Sequence, residues 1–235
     1  MLDLVRSAVR RVLEKSGRGT NISPELTTVN LVTIMSGRLL ELIRGLARFQ
    51  RIVFLGSGVK IRGKRNVTMA KYSAIGDRSK VDGISRHGVN LGHGAKLGRY
   101  VTVTGTSSMS TVGAGLQIGR NSAIGDFGHV GCAGGVFIGD DVIIGPLSSF
   151  HSQEHVAESS TVPIRLQGTR EEAINIEEDV WVGARVTFLA GSYVGAHSVV
   201  AAGAVVRGRF PPYSVIGGVP ARLLRSREAA NVDSL

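Results

Sequence analysis

An apolar residue recurs at every sixth position over most of the chain, and this period constrains the fold more than any other feature. The longest unbroken run consists of Ile176, Val182, Phe188, Val194, Val200 and Val206. Shorter runs with the same step are Leu91, Leu97 and Val103; Ile118, Ile124, Val130 and Val136; and Ile138, Ile144 and Phe150. The period excludes a single helix face, because about 3.6 residues per turn would carry the apolar position around the cylinder. It predicts a solenoid of very short strands with every sixth side chain inside.

The composition agrees with this fold. Glycine makes up 32 of the 235 residues and often follows the repeating apolar residue, where it permits a sharp turn. Apolar residues account for 43% and charged residues for 20%, which excludes a disordered chain. The single cysteine, Cys132, excludes an internal disulfide and suggests a reducing compartment. No apolar run approaches the ~20 residues of a membrane-spanning helix, and the first residues lack a secretory signal. We therefore expect a cytoplasmic globular protein.

The positive charge is concentrated near the N-terminus. Residues 1–65 contain 13 basic and 4 acidic residues, a difference of nine, whereas the whole chain has a net charge of +10. Nucleic-acid binding usually requires a basic face with aromatic side chains or a known module, and the sequence has neither. We therefore expect no nucleic-acid partner.

Residues 1–52 are predicted to form a basic helical segment. A first helix has apolar Leu2, Val5, Val9 and Val12 at helical spacing. A second helix is predicted from about Ser36 or Gly37, with an apolar stripe that consists of Leu39, Leu42, Ile43, Leu46 and Phe49. Its arginines, on the opposite side for the most part, are Arg38, Arg44, Arg48 and Arg51. Such a helix can lie on an anionic membrane surface or pack on the main domain or a partner subunit. Both interpretations stay open.

Five segments are more specific than the bare repeat. They are 149–155 (Ser-Phe-His-Ser-Gln-Glu-His), 163–168 (Pro-Ile-Arg-Leu-Gln-Gly), 179–184 (Asp-Val-Trp-Val-Gly-Ala), 202–206 (Ala-Gly-Ala-Val-Val) and 211–222 (Pro-Pro-Tyr-Ser-Val-Ile-Gly-Gly-Val-Pro-Ala-Arg). Over about residues 53–225 the chain thus resembles the hexapeptide-repeat acyltransferases, especially sugar O-acetyltransferases of surface-polysaccharide synthesis. The resemblance implies an all-β solenoid, a left-handed parallel β-helix over 53–210. An extruded catalytic loop is expected at about 150–174 and a C-terminal tail at 211–235.

The repeat stops at Phe150 and resumes at Ile174 or Ile176, and the interruption contains His151 and His155. A neutral imidazole can remove the proton from a hydroxyl near pH 7 as that hydroxyl attacks a thioester. The resemblance implies that His155, ten residues before Arg165, is this base. His151 could orient His155, bind substrate or have no role.

Asp126 is the candidate for orienting the base or binding sugar hydroxyls. On the repeat count, Asp126 and His129 lie about one coil below the interruption, since Val130 should stack under Phe150. An ordinary corner residue of the repeat is the alternative for Asp126.

The resemblance also implies acetyl-CoA as the acetyl donor. The family positions that contact it correspond to Trp181, Ala184, Ala202, Arg207, Arg222 and Arg225. Arginines suit the nucleotide phosphates, although solvated surface is the alternative for them and trimer packing for Trp181. Arg207-Gly208-Arg209 replaces the Thr-Lys-Asp common in relatives, so the phosphate contacts can differ there.

The expected function is therefore acetyl transfer from acetyl-CoA to a saccharide hydroxyl, on a free, nucleotide-linked or lipid-linked sugar. A homotrimer with shared sites is expected, with peripheral contact to an anionic membrane as an open addition. Three alternatives remain: N-acetylation of an amino sugar on a nucleotide carrier, a γ-carbonic-anhydrase-like zinc enzyme and a non-catalytic scaffold. The zinc enzymes space paired ligands as His-x4-His, whereas His151 and His155 are His-x3-His, so no metal is expected.

Overall fold

Short strands alternate with turns between Phe54 and Ser226, and nearly every strand pairs in parallel with its equivalent one coil away. The computed structural model describes residues 22–23, 25–105 and 112–227. Three sheets form the sides of a parallel β-helix, as the hexapeptide period predicts, and the fold is the left-handed form that the family resemblance implies. We refer to them as sheets A, B and C.

The strands of each sheet are given in stacking order. Sheet A consists of β1 (Phe54–Leu55), β4 (Ala74–Ile75), β7 (Lys96–Leu97), β10 (Ala123–Ile124), β13 (Ile143–Ile144), β18 (Trp181–Val182), β21 (Val199–Val200), β24 (Ser214–Gly218) and β25 (Ala221–Ser226). Sheet B consists of β2 (Lys60–Arg62), β5 (Lys80–Asp82), β8 (Thr102–Thr104), β11 (His129–Gly131), β14 (Ser149–His151), β19 (Thr187–Leu189) and β22 (Val205–Val206). Sheet C consists of β3 (Val67–Met69), β6 (Val89–Leu91), β9 (Leu116–Ile118), β12 (Val136–Ile138), β17 (Ile174–Ile176), β20 (Tyr193–Val194) and β23 (Arg209–Phe210).

The repeating apolar side chains fill the interior, as predicted. Val130 pairs with Phe150, which pairs in turn with Phe188 on the next coil. The rings of Phe150 and Phe188 are fully buried and stack with centroids 4.9 Å apart. Each inward apolar side chain therefore stacks on an apolar side chain of the next coil, so the short strands share one continuous core.

Buried serine hydroxyls satisfy backbone groups at the corners, where strand hydrogen bonds stop. Ser79 Oγ donates to the Gly98 carbonyl at 2.9 Å and accepts from the Val101 N–H at 3.1 Å. Ser122 Oγ acts in the same way, donating to the Gly139 carbonyl at 2.6 Å. Because unpaired buried polar groups are costly, these hydroxyls stabilise the turns.

Among the described residues, one helix, α1 (Thr28–Phe49), precedes the first coil. It begins eight residues before the predicted Ser36, because Thr27 Oγ1 caps it by accepting from the Asn30 N–H at 3.2 Å. Gly45 packs against the backbone of Val53, which brings the helix close to the first coil. The first predicted helix, with Leu2, Val5, Val9 and Val12, lies outside the described residues. No helix in the described part of the chain has the length and hydropathy needed to cross a membrane.

Two further features depart from the expected boundaries. Part of the predicted tail at 211–235 is strand, since β24 extends sheet A and β25 folds back antiparallel against it. The predicted loop is a hairpin of β15 (Gln153–His155) and β16 (Thr169–Glu171), with a 3₁₀ turn at Ile164–Leu166.

Candidate active site

His151 belongs to the β-helix frame rather than to the interruption in which the sequence placed it. It is the last residue of β14 and pairs with Gly131 below and Leu189 above. Because Phe150 points inward, the alternation of the strand turns His151 outward into solvent. A rigid sheet therefore fixes the position of this imidazole.

His129 lies beside His151 on the same face of sheet B. The two imidazole centroids are 5.7 Å apart, with the rings tilted by 33°. Partial desolvation, and secondarily the neighbouring His151, lower the pKa of His129, which favours its neutral form. A surface cavity of about 210 Å³ opens here, lined by Thr104, His129, Gly131, Ala133, His151, Ser152 and Gln153. On the repeat count, the sequence places His129 one coil below the interruption but does not predict its contact with His151.

The hairpin starts directly beside this cavity. Ser152 is buried and accepts a hydrogen bond from the Gly134 N–H at 3.0 Å, so the chain leaves sheet B at a fixed point. His155, the last residue of β15, is exposed and pairs with Thr169 of β16. The structure thus places His155 on a short ribbon anchored at its base.

Gln167, from the Pro-Ile-Arg-Leu-Gln-Gly segment, holds the far part of the hairpin together. Its Oε1 accepts from the Ser159 N–H at 2.9 Å, and its Nε2 donates to the carbonyls of Ser159 at 2.9 Å and Val162 at 2.7 Å. One side chain thereby satisfies three backbone groups. The loop therefore has a defined path, although its only regular element among the residues between β15 and β16 is the 3₁₀ turn at Ile164–Leu166.

Glu154, the chain neighbour of His155, forms ion pairs away from the imidazole. Its Oε1 accepts from Arg207 Nη2 at 2.5 Å, and its Oε2 lies 3.7 Å from Arg170 Nη2. Arg207 follows β22, two coils beyond β14 in sheet B. The hairpin is therefore tied against later coils, and a predicted cofactor residue lies next to the strand that contains His155.

Asp126 forms a corner contact of the kind that the sequence left open as the alternative to a role in the site. Its Oδ1 accepts from the Arg99 backbone N–H at 2.8 Å, and its Oδ2 accepts from Arg99 Nε at 3.0 Å. Asp140 binds Arg120 in the same way at another corner. Since both oxygens of Asp126 are engaged by Arg99, this carboxylate joins two coils in the structure.

Sheet A presents a different set of predicted residues. Trp181 points outward and is 59% exposed. The parallel register continues from Trp181 through Val199 to Val215, and β25 places Arg225 opposite Val215. With about 4.8 Å between strands, Trp181 and Arg225 lie on one outward column roughly 14 Å apart.

The small residues named from the sequence line the adjoining corner. Ala184 and Ala202 follow β18 and β21, and the Gly203 N–H donates to the Ala184 carbonyl at 2.9 Å. A Cβ at Gly183 would meet the Ala202 nitrogen at 2.6 Å, so successive coils approach closely here. The corner surface is consequently narrow and formed largely by backbone.

Two of the three predicted cofactor arginines are available to an anion. Arg222 Nη1 donates to the Ala221 carbonyl at 3.0 Å, and Arg225 Nη1 donates to the Ser226 carbonyl at 3.3 Å. Among the residues that the structure describes, neither guanidinium forms an ion pair with a carboxylate. Arg207 differs, because Glu154 already binds it.

Two further observations concern the cysteine and the potential metal ligands of this chain. Burial raises the pKa of the Cys132 thiol to about 12, so a thiolate nucleophile is not present at neutral pH. Within the described part of the chain, no three His, Cys, Asp or Glu side chains converge as metal ligands would.

Comparison with known proteins adds sequence relatives. The profile described as "Bacterial transferase hexapeptide (six repeats)" matches residues 173–208. WbbJ of Escherichia coli, assigned as an O-acetyl transferase of lipopolysaccharide biosynthesis, is 31% identical over 132 residues, which are 49% of this chain and 67% of WbbJ. Rv3034c of Mycobacterium tuberculosis, assigned as an acetyltransferase, is 28% identical over 133 residues, which are 57% of this chain. The matched part is only 44% of the length of Rv3034c.

A solved structure supports the fold. The N-acyltransferase AntD of Bacillus cereus, crystallised with dTDP-4-amino-4,6-dideoxyglucose and coenzyme A, superimposes with a TM-score of 0.53 at 13% identity. The superposition covers 81% of this chain and 92% of AntD. At this identity the likeness concerns the fold alone.

Proposed function

Because this chain belongs to the family of bacterial hexapeptide-repeat transferases, we propose that it transfers an acetyl group from acetyl-CoA to a saccharide hydroxyl. The proposed acceptor is a precursor of a surface polysaccharide, free or linked to a nucleotide or lipid. The assignment of WbbJ to lipopolysaccharide biosynthesis favours that acceptor class. The single observation that supports the proposal most is the hairpin, which interrupts the β-helix beside the His129–His151 cavity and contains His155 in its first strand.

His155 acts as the general base in this proposal. A saccharide hydroxyl becomes a competent nucleophile only as a base removes its proton, and an imidazole suits that task at neutral pH. His155 is exposed, so an acceptor hydroxyl can reach it. The hairpin pairing and the Glu154–Arg207 ion pair restrict the backbone on either side of it. A base held in this way needs little reorganisation at the moment of reaction.

His151 is proposed to contact the acceptor rather than the proton in transfer. It shares its cavity with His129, whose lowered pKa keeps that second imidazole uncharged near neutral pH. A neutral imidazole such as that of His129 can both donate and accept hydrogen bonds, which matches the mixed character of sugar hydroxyls. A volume of about 210 Å³ suits part of one sugar ring.

The donor surface is proposed on sheet A and its corner. Acetyl-CoA supplies the activated acetyl thioester. Trp181 offers an exposed aromatic face, and the backbone-lined corner at Ala184 and Ala202 suits a narrow pantetheine arm. Arg222 and Arg225 are free to meet phosphates with charge-assisted hydrogen bonds. Arg207 could join them only by exchanging its Glu154 partner.

This arrangement favours a shared site. In one chain Trp181, Arg222 and Arg225 lie on sheet A, whereas His155 and the cavity lie beside sheet B. Two faces of a triangular prism point in different directions, so a neighbouring copy is proposed to supply the missing half. A homotrimer places each sheet A against the hairpin side of the next chain and closes the ring.

The test is acetyl-CoA turnover, followed as free thiol, over a panel of saccharides, nucleotide sugars and amino sugars. Turnover with a saccharide lacking an amine supports the proposal. Turnover confined to amino sugars would assign nitrogen as the acceptor instead. A protein that neither binds acetyl-CoA nor turns it over with any acceptor would be a scaffold.

A further inference from the structure

Helix α1 has two apolar faces, and the β-helix covers only one of them. Leu31 and Gly45 are buried on the inner face, and Leu42 and Phe49 are partly buried beside them. The outer stripe consists of Val29, Val32, Leu39, Leu40, Ile43 and Leu46, which are 43% to 73% exposed. The sequence had merged both faces into one stripe. Six exposed aliphatic side chains on one helix form a patch that soluble surfaces rarely leave uncovered.

The helix cannot turn this outer stripe inward. Arg44 Nε donates to the Leu55 carbonyl at 2.8 Å, and the Arg38 guanidinium lies 3.8 Å from the centroid of the Phe54 ring. A Cβ at Gly45 would already meet the Val53 carbonyl carbon at 2.7 Å. These contacts fix the rotation of the helix about its axis. The stripe therefore stays exposed in the part of the chain that the structure describes.

A cationic cavity lies at the C-terminal end of the same helix. It has a volume of about 320 Å³ and is lined by Arg48, Phe49, Gln50, Arg51, Lys64, Val67, Thr68 and Met69. Three of these described lining residues are basic and none is acidic. Lys64 Nζ lies 5.5 Å from the centroid of the Phe49 ring, so the apolar floor of the cavity holds one cation in place. A cavity of this composition suits a phosphate group.

The surrounding charge distinguishes two possible partners of the stripe. Residues 22–71 contain nine basic residues and two acidic ones, and one of the acidic residues, Glu41, is paired with Arg38. The stripe residues Val29, Val32, Leu39, Ile43 and Leu46 have a spacing that would also fit a second helix. A second copy would bring the same positive charge against itself. An anionic bilayer instead offers acyl chains to the stripe and phosphates to the cations.

We propose that helix α1 lies in the plane of an anionic membrane surface, with its outer stripe at the acyl boundary and a lipid phosphate bound by Arg48, Arg51 and Lys64. A helix of 22 residues is about 33 Å long, enough to hold one face of the protein against the bilayer. The proposal is independent of the acetyl-transfer chemistry. It makes the protein a peripheral membrane protein.

The test is co-sedimentation of the full chain with vesicles of equimolar phosphatidylglycerol and phosphatidylcholine, and with phosphatidylcholine vesicles alone. We expect binding to the anionic vesicles only, weakened by salt. The triple variant Arg48→Gln/Arg51→Gln/Lys64→Gln should bind on the order of 100-fold more weakly. A matched triple variant, Arg86→Gln/Arg165→Gln/Arg185→Gln, removes the same charge elsewhere and should bind within about threefold of wild type.

Two further variants test the outer apolar stripe of helix α1. Leu39→Gln/Ile43→Gln should bind anionic vesicles about tenfold more weakly or worse, and so should Val29→Gln/Val32→Gln. All four positions are exposed, so both variants should keep the wild-type circular dichroism spectrum. Wild-type protein that stays in the supernatant would overturn the proposal. Equal losses of vesicle binding in the two triple charge variants would overturn it as well. Sedimentation velocity without vesicles tests the rival partner, a second copy of the chain. If Leu39→Gln/Ile43→Gln changes the oligomeric state and the wild type binds no vesicles, the stripe contacts a second copy and the proposal is overturned.

Discussion

Glu154 of the hairpin accepts a 2.5 Å hydrogen bond from Arg207, which lies two coils further along sheet B. This contact joins the hairpin of β15 and β16 to a later coil of the β-helix. The residue after Glu154 is His155, so the ion pair acts on the strand that positions the proposed base. Two residues 53 positions apart thereby share one local structure.

The first prediction concerns this ion pair. Both side chains are partly exposed, so Glu154→Gln should change the free energy of unfolding by only about 0–1 kcal/mol. Turnover should fall several-fold, because the hairpin gains freedom and His155 loses its fixed position. Arg207→Gln should have a similar effect, and the double variant should lose less than the product of the two. Strictly multiplicative losses in kcat would show that the pair does not act as a unit.

The second prediction compares two glycines of helix α1. Gly37 has nothing within 4 Å of an added Cβ, so Gly37→Ala should stabilise the protein by about 0.5–1 kcal/mol. Gly45→Ala should destabilise it, since its Cβ would meet the Val53 carbonyl carbon at 2.7 Å. Urea unfolding of both variants measures the difference. Equal effects of the same sign would contradict the observed docking of the helix.

The third prediction compares two phenylalanines. Phe188 is fully buried against Phe150, so Phe188→Ala should lower the free energy of unfolding by about 3–5 kcal/mol. Phe127 stacks on Tyr100 at the surface and is 55% exposed, so Phe127→Ala should cost about 1 kcal/mol. Thermal and chemical unfolding should rank the two variants in this order. A costlier Phe127→Ala would argue against an interior formed by the six-residue repeat.

The fourth prediction concerns pH. The pKa of His129 is lowered in the folded protein, first by desolvation and then by His151. The unfolded chain therefore takes up the proton first as the pH falls. The stabilising contribution of neutral His129 should be complete above about pH 6.5 and should decrease as the pH falls toward the folded pKa. Relative to His129→Asn, wild type should lose stability between neutral and mildly acidic pH. A pH-independent difference between them would contradict the lowered pKa.

The sequence predicted the interior of this protein well, because the six-residue period is a direct consequence of the coil geometry. Val130 under Phe150 could be placed by counting alone, and the structure confirms it. The corner role of Asp126 could not be distinguished from a functional role, because its partner Arg99 is 27 positions away. Such a contact depends on how two corners align, which the period alone does not specify.

Other departures have local causes. The start of helix α1 was missed because Val29, Val32 and Thr33 are poor helix formers, and the Thr27 cap and tertiary packing outweigh their propensity. The His129–His151 pair was missed because their separation of 22 residues spans one coil plus a shift within sheet B. Two histidines 22 residues apart on a hexapeptide repeat can therefore be predicted from sequence to lie side by side.

The central claim is that His155 is the general base, and steady-state kinetics of His155→Ala test it most directly. His87→Ala serves as a control, because His87 is also exposed and lies outside the proposed site. We predict that His155→Ala lowers kcat by about 10²–10⁴-fold and leaves the KM for acetyl-CoA nearly unchanged, since proton removal is realised only in the transition state. His87→Ala should retain wild-type kinetics. A His155→Ala protein with near wild-type kcat at saturating substrate would contradict the account and transfer the role to His151.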